Sequence, residues 1–324
     1  MFYRQIIDNY VHPFIIYVLL GTLISYILCR ILIRAGLFGS AKWRAMVYIV
    51  PFIVPFAAYL LPKPLLLNRC FTFGQQPELV TSWLCTGGSV LAAILTPLFL
   101  ASVVFAIFRA IFSIAACRRF IKTYGYANRA ANLRIFLLLE PLCSRAQIKV
   151  PKIVVTANRF ARAFTMGFRD EVIVLSQGLI NNLDDEELET VLAHELGHIV
   201  RKDSLSNWII VFFRDIMFFT PLIFFVFRDY ASEKEKATDD YAIQLTGKPM
   251  AFAQALIKVW KMSPGNAIED SFPYPAFISH AGILDQRVER LVEGDFCVLS
   301  HRLFSPLAFS GLVIISIAFL FYLC

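Results

Sequence analysis

DDEELETVLAHELGHIVRKD, residues 184–203, is the stretch of this 324-residue sequence that says most about its fold. Asp184 can cap a helix here, and Glu187, three residues on, can bond back to the cap. Within that helix His194 and His198 are four residues apart, so both imidazoles project from one face about one turn apart. The stretch therefore predicts a capped helix that presents two imidazoles to a single metal ion.

Glu195 directly follows the first histidine and completes an HExxH pattern on the helix. In this pattern the histidines bind Zn²⁺, and the carboxylate accepts a proton from the water that attacks the substrate. Zinc lowers the pKa of such a water to about 7, and the carboxylate then passes the proton to the leaving amine. The alternative is a helix whose histidines are ordinary surface or core residues. The correctly placed start of the helix favours the zinc interpretation.

A catalytic zinc site needs a third protein ligand and keeps one position open for water or substrate. In the gluzincin arrangement a glutamate on a second helix supplies it, and EKEKATDDYA (residues 233–242) contains Glu235. Asp239 lies one turn later on the same face, where it can orient a histidine ligand. Glu233 is the rival ligand, and an exposed charged helix is the alternative for the whole stretch. We expect one zinc ion per chain.

Short β-rich segments precede the HExxH helix. KIVVT (residues 152–156) and VIVLS (residues 172–176) are typical of strands, and AFTMGF (residues 163–168) of an extended piece between them. The sequence therefore predicts a small sheet followed by the metal-binding helix.

The composition indicates a membrane protein. Mean hydropathy is +0.63, with 58% hydrophobic and only 17% charged residues, which is more apolar than a soluble domain of this size needs. Runs with almost no charge, each about long enough to cross a bilayer as a helix, lie at residues 14–33, 45–61, 85–108 and 303–324. We therefore predict a multi-pass α-helical membrane protein: three spans in residues 1–116, a cytoplasmic α+β gluzincin-type metallopeptidase domain in residues 117–302, and a fourth span.

Lysine and arginine residues predict the orientation, because they are retained on the cytoplasmic side of a membrane. They are concentrated after the first and third apolar runs, so four spans place both termini outside the cytoplasm. The sequence ends directly after the fourth run, and we expect no extracytoplasmic domain there. The net charge of +7 is explained by these flanking residues, which meet anionic lipid head groups in the bilayer. Nucleic acid is therefore excluded as a partner.

NWIIVFFRDIMFFTPLIFFVF, residues 207–227, has the hydropathy of a span but cannot be one. A single crossing would carry Glu235 to the opposite side of the membrane from the histidines. It would also place Arg214 and Asp215 near the middle of the bilayer, at a cost of several kcal/mol. We predict a non-spanning segment that Pro221 breaks into two helices, with Arg214 and Asp215 facing protein.

HELGHIVRKD (residues 194–203), with EKATD (residues 235–239) some way downstream, resembles the BlaR/MecR-type membrane metallopeptidases. These are the β-lactam sensor-transducers and their sensorless relatives. The likeness covers residues 152–293 and the pattern of spans, and it extends to the neighbouring heat-shock and prenyl-protein (CAAX) membrane proteases. It implies Glu195 as the base, zinc ligands at His194, His198 and Glu235, and supporting roles for Asp203 and Asp239.

The resemblance also implies contacts with substrate. In such peptidases an edge strand pairs with the substrate backbone, which here implicates Ala163, Phe164, Thr165, Met166 and Gly167. The alternative is that these residues only complete a hairpin. His280 stands where the prenyl-protease relatives have a His-Pro pair, although Ala281 follows it here. It is a candidate for stabilising the oxyanion, with a helix-capping or core histidine as the alternative.

A regulatory zinc endopeptidase is the function that this resemblance implies. It would receive a signal through its spans and cleave a protein or peptide substrate, with a repressor or a sensor subunit as partner. The alternative is a quality-control or processing protease of the heat-shock type. Those relatives usually insert two spans between the histidines and the glutamate, and this chain has room for at most one, which favours the first function. A non-catalytic membrane scaffold with structural zinc is the third hypothesis. Structural zinc sites usually have four protein ligands, and the three found here argue against it.

Overall fold

The computed structural model describes residues 12–60, 79–167, 170–262, 281–294 and 304–323. Contacts divide the chain into two compact units. The first unit comprises Met1–Phe108, Ile210–Ala231 and Ser300–Cys324, and the second comprises Arg109–Ile209 and Ser232–Leu299. The predicted spans thus fall in the first unit and the HExxH stretch in the second.

Helices build the described part of the first unit. They are α1 (His12–Arg34), α2 (Ala41–Val47), α3 (Val50–Leu60), the first part of α4 (Leu79–Tyr124), the end of α8 (Asp203–Ile216), the start of α9 (Leu222–Thr246) and α12 (Phe304–Leu323). Aromatic rings hold several of them together. The ring of Phe14 in α1 packs on Tyr59 of α3 and Phe99 of α4, with centroids 5.1 and 4.9 Å apart.

The second predicted span, residues 45–61, differs from the structure, which has two helices there. α2 ends at Val47, α3 begins at Val50, and Tyr48 caps α2 by donating its N–H to the carbonyl of Arg44. Pro51 explains the break, because it has no N–H with which to continue the helical bonding to Val47. The sequence-based prediction of one continuous helix was wrong at this point.

α4 is longer than the third predicted span, residues 85–108. It runs for 46 residues and ends before Gly125, whose φ of 66° closes the helix in the left-handed conformation. Within the residues that the structure describes, Leu95–Tyr124 is the one helical stretch long and apolar enough to cross a membrane, and 17% of its most apolar part is buried. The predicted domain boundary at residue 117 therefore lies inside a helix.

The apolar segment 207–227 is broken at the predicted place. α8 ends at Ile216, α9 begins at Leu222, and Pro221 lies between them. The side chains of Arg214 and Asp215 are 16% and 7% exposed and form an ion pair of 2.9 Å. They face protein, as predicted. The position of this segment relative to a bilayer stays a prediction.

The second unit combines a small sheet with helices. Its described elements are the rest of α4, α8 and α9, together with α5 (Leu133–Ala146), β1 (Lys152–Thr156), β2 (Ala163–Met166), β3 (Val172–Ser176), α6 (Gln177–Asn182), α7 (Asp185–Val200), α10 (Pro249–Met262) and α11 (Ala281–Glu293). The strand order is β1-β3-β2, with β1 parallel and β2 antiparallel to β3. Both predicted strands are confirmed, and the extended piece contributes β2 at an edge of the sheet.

α7 is the central helix of this unit. Asp184 accepts the backbone N–H of Glu187 at 2.9 Å, and the Glu187 carboxylate accepts the N–H of Asp184 at 2.9 Å. This is the predicted capping box. The core fully buries three leucines of α7, namely Leu188, Leu192 and Leu196. Their packing fixes the rotation of the helix and therefore the direction of its polar face.

Candidate metal centre

His194 and His198 lie one turn apart on α7, and their rings are perpendicular with centroids 4.8 Å apart. His194 is 8% exposed. The Nε2 atoms of the two imidazoles are 3.2 Å from each other. The helical spacing thus brings two potential metal-binding nitrogens to one point, as the sequence predicts.

Glu235 on α9 brings a carboxylate to the same point. Its Oε2 lies 3.5 Å from Nε2 of His194, and its Oε1 lies 3.9 Å from Nε2 of His198. Ligand atoms of a tetrahedral zinc site with bonds of about 2.0–2.1 Å are about 3.3 Å apart, so the spacing fits this ion. The rival Glu233 instead accepts a hydrogen bond from Nζ of Lys236 at 3.1 Å. His194, His198 and Glu235 form a group that could hold a metal ion.

The outer nitrogens of both imidazoles meet carboxylates. Nδ1 of His194 lies 3.0 Å from Oδ1 of Asp239, and Nδ1 of His198 lies 2.8 Å from Oδ2 of Asp203. Both aspartates are buried. A histidine that binds a metal commonly donates its other N–H to a carboxylate, which fixes the ring and directs the free lone pair toward the metal. The donor set and its surroundings therefore fit a zinc site.

The electrostatics of the centre favour a cation. Burial alone would lower the pKa of His194, but the hydrogen bonds to Asp239 and Glu235 outweigh it and raise the pKa to about 9. Burial would raise the pKa of Glu235, but His194, His198 and Arg287 together hold it well below its ordinary value. The Glu235 carboxylate therefore stays ionised and supplies negative charge at the point where the two Nε2 atoms meet.

Glu195 lies beside this cluster and contacts the edge strand. It is 4% exposed, and its Oε2 accepts a hydrogen bond of 2.8 Å from Oγ1 of Thr165. The same hydroxyl lies 3.2 Å from the backbone carbonyl of Glu195. Thr165 is in the middle of β2, so the strand predicted to meet substrate touches the predicted base directly. Phe164, its neighbour, packs instead with the apolar group around Cys117 and Val154.

Arg287 on α11 was missed as a site residue by the sequence analysis. Its Nε and Nη2 donate to the two carboxylate oxygens of Asp239 at 2.8 and 2.7 Å, and its Nη1 lies 3.5 Å from Oε2 of Glu235. One signal was available, because Arg287 lies one turn before the buried Leu291 on the apolar face of an amphipathic helix. A charged residue at such a position needs a buried partner. His280, the predicted oxyanion residue, lies outside the described residues.

An HExxH helix, a glutamate from a second helix that could complete a metal site, and an adjacent edge strand together have the arrangement of a metallopeptidase. The chain belongs to the family described as BlaR1 peptidase M56, whose profile matches residues 87–291. The resemblance stated from the sequence is thereby confirmed.

Several curated relatives of the chain carry the name protease HtpX or protease HtpX homolog. A protease HtpX homolog of Bacteroides fragilis (strain YCH46) is 29% identical over 199 residues, which cover 48% of this chain and 61% of that protein. One from Acidiphilium cryptum (strain JF-5) is 30% identical over 186 residues, covering 47% and 65%. Protease HtpX of Legionella pneumophila (strain Corby) is 34% identical over 89 residues, covering 27% and 32%. The chain thus matches less than two thirds of the length of each of these relatives.

Proposed function

We propose that this protein is a zinc-dependent membrane endopeptidase with one Zn²⁺ per chain, held by His194, His198 and Glu235, and with Glu195 as general base. One observation carries the proposal. The Nε2 atoms of both histidines converge on the Glu235 carboxylate, while their Nδ1 atoms face the carboxylates of Asp239 and Asp203. Histidines that only pack in a core have no need for this division between inner and outer nitrogens.

Hydrolysis follows from the positions of the side chains. Zinc, when bound, supplies a Lewis acid that polarises the scissile carbonyl and lowers the pKa of the attacking water. Glu195 takes the proton from that water and delivers it to the leaving amine, which otherwise departs as an unstable anion. The hydroxyl of Thr165 holds one oxygen of Glu195 at 2.8 Å, so the carboxylate is aimed before substrate arrives.

Substrate binding by β2 is part of the proposal. β2 pairs with β3 along one edge, and within the described residues no strand pairs with its other edge. An extended peptide can add there as a further strand through backbone hydrogen bonds. Because Thr165 in the middle of β2 donates a hydrogen bond to Glu195, a peptide bound along Ala163–Met166 and Gly167 would pass close to the base. The substrates are therefore proteins or peptides that can present an extended segment.

Regulatory cleavage is the role we propose for this activity, with a repressor or a sensor subunit as partner. The short connection between the histidines and Glu235, residues 199–234, supports it, because the heat-shock relatives insert two spans there. A quality-control role is the second candidate, and the names of the matched relatives favour it. The two roles differ in their need for a partner. A quality-control protease reaches its full rate on unfolded protein without a partner, whereas a regulatory protease has a low basal rate that its partner or signal raises.

Zinc content and cleavage of casein test the proposed site. Wild type, Glu195→Gln, Glu235→Ala and Glu233→Ala are purified in detergent and measured side by side. We expect about one zinc and cleavage for wild type and for the Glu233→Ala control, zinc without cleavage for Glu195→Gln, and loss of metal for Glu235→Ala. Equal zinc in all four proteins with no cleavage in any would refute the ligand set and support the scaffold hypothesis. Cleavage that persists in Glu195→Gln would refute the mechanism.

A further inference from the structure

A groove lies within the first unit between α1 and the start of α9. Its volume is about 490 Å³, and its lining includes three arginines, Arg30, Arg34 and Arg228, and three apolar residues, Ile27, Ile31 and Phe225. Nothing in the proposed peptidase mechanism uses this groove. The combination of guanidinium groups with exposed apolar side chains suits a ligand that has an anionic head and an apolar tail.

One of the three arginines is already neutralised. Nη1 of Arg30 lies 2.8 Å from Oδ2 of Asp229, and the hydroxyl of Tyr26 donates to the same oxygen at 2.9 Å. Asp229 is 15% exposed in its side chain, so this cluster links α1 to α9 from inside. Arg228 lies 3.7 Å from the same carboxylate and is half-exposed, and Arg34 is exposed. The groove therefore has three guanidinium groups and one neighbouring carboxylate, that of Asp229, which leaves two positive charges for a ligand.

The exposed surfaces of both helices change from apolar to basic at the groove. Along α1 one face presents Leu20, Leu23, Ile27 and Ile31, which are 39%, 43%, 47% and 55% exposed, and Arg34 follows on the same face. On α9 the half-exposed Phe225 is followed three residues later by Arg228. Exposed apolar surface that ends in arginine is the pattern of a helix at the boundary between hydrocarbon and head groups.

We propose that this groove binds an anionic phospholipid, with the phosphate held by Arg34 and Arg228 and the first part of an acyl chain against Ile27, Ile31 and Phe225. The planar guanidinium forks match the geometry of phosphate oxygens. A zwitterionic lipid fits less well, because its ammonium group would stand among arginines. The occupant is therefore a lipid such as phosphatidylglycerol, bound at a defined place rather than through general attraction to a charged surface.

Binding of a fluorescent phosphatidylglycerol to the detergent-solubilised full-length protein tests the proposal, with phosphatidylcholine of the same chains as competitor. We expect phosphatidylglycerol to bind about tenfold more tightly than phosphatidylcholine, since charge-assisted hydrogen bonds to phosphate are involved. The double variant Arg34→Gln/Arg228→Gln should lose this preference. Arg118→Gln/Arg119→Gln removes the same charge from exposed positions outside the groove and should keep it.

Three results would overturn the proposal. Wild-type protein that binds the two lipids alike has no anionic-lipid site, and this comparison needs no variant. A preference lost equally in the control variant would mean that net charge alone attracts the lipid. Displacement of the lipid by millimolar inorganic phosphate would make the groove a site for free phosphate instead. If the glutamine variant does not fold, Arg34→Lys/Arg228→Lys, which keeps the charge but not the fork, should weaken binding measurably.

Discussion

At the scale of single residues, each candidate metal ligand forms a hydrogen bond or an ion pair with a further polar side chain. Asp239 lies between His194 and Arg287, with contacts of 3.0, 2.8 and 2.7 Å. Asp203 contacts His198 at 2.8 Å. These contacts orient the imidazoles without a metal. The side-chain entropy of the ligands is therefore lost when the protein folds and not when it binds zinc. Arg287 in turn prevents Asp239 from being a buried, unpaired charge.

Thr165→Val should lower the rate of peptide cleavage and leave zinc content unchanged. Valine keeps the shape and strand preference of threonine but removes the hydroxyl that donates to Oε2 of Glu195 at 2.8 Å. A hydrogen bond to a charged group contributes about 1.5–3 kcal/mol, so kcat should fall roughly 10-fold to 100-fold. The measurement is kcat and KM for a fluorogenic peptide, with zinc content determined on the same samples.

Thr165→Ser is the matched control, because it retains the hydroxyl and should restore most of kcat. If Thr165 acts only in binding the substrate strand, the valine variant would change KM and leave kcat as it was. That result would contradict a role in positioning Glu195.

The predictability of the site differs between its residues. The histidines and Glu195 could be predicted because a helical period fixes which side chains share a face. Glu235 could be predicted because the gluzincin arrangement takes its third ligand from a glutamate on a second helix. Thr165 was predicted as a strand residue, yet its bond to Glu195 was not, because the sequence carries no information on how a sheet edge docks on a helix. Arg287 reaches the site from a helix 52 residues beyond Glu235, and only tertiary packing brings the two together.

At the scale of elements, the site depends on how closely α7 approaches α9. Gly197 lies between His194 and His198 on α7. A Cβ placed on it would be 2.8 Å from Cγ2 of Thr238 and 3.1 Å from Cδ1 of Tyr241. Both neighbours are on α9, three and six residues beyond Glu235. The absence of a side chain at Gly197 therefore lets the two ligand-bearing helices come within reach of one ion.

Gly197→Ala should destabilise the protein and weaken zinc binding. Alanine favours a helix over glycine by up to about 1 kcal/mol, but it forces α7 and α9 apart, and overpacking of this kind costs about 1–3 kcal/mol. We expect a lower Tm in detergent and a higher zinc dissociation constant. Gly311→Ala is the control, since Gly311 is also helical and has no atom within 4 Å of its added Cβ. A stable Gly197→Ala protein with unchanged zinc affinity would contradict the close-approach argument.

The elements themselves were predictable to different degrees. α7, with its capping box, and strands β1 and β3 agree with the sequence-based bounds, because capping residues and β-branched runs are local signals. α4 is longer than the predicted span, because the apolar run predicts only the part of a helix that can enter lipid. The helix itself continues to Gly125. The break before α3 could be predicted from Pro51 but not from the hydropathy of the run.

At the scale of the whole molecule, the two units carry different chemistry. The second unit contains the candidate ligands, the base and the edge strand, and the first contains the exposed apolar helices and the arginine groove. α4, α8 and α9 each contribute residues to both units. This division agrees with the composition, in which apolar runs and charged, turn-rich sequence alternate. The number of crossings and the side on which each terminus lies stay predictions.

Reporter fusions test the predicted orientation across the last helix. Alkaline phosphatase, which is active only outside the cytoplasm, is fused after Arg302 in one protein and after Cys324 in another, so that the two differ by α12. Because lysines and arginines cluster after the first and third apolar runs, we expect an inactive enzyme after Arg302 and an active one after Cys324. Green fluorescent protein at the same positions should give the reverse pattern. Phosphatase activity after Arg302 would mean that the segment carrying the candidate metal centre lies outside the cytoplasm, and fluorescence after Cys324 would mean that the carboxyl terminus lies inside it. Either result would contradict the predicted orientation.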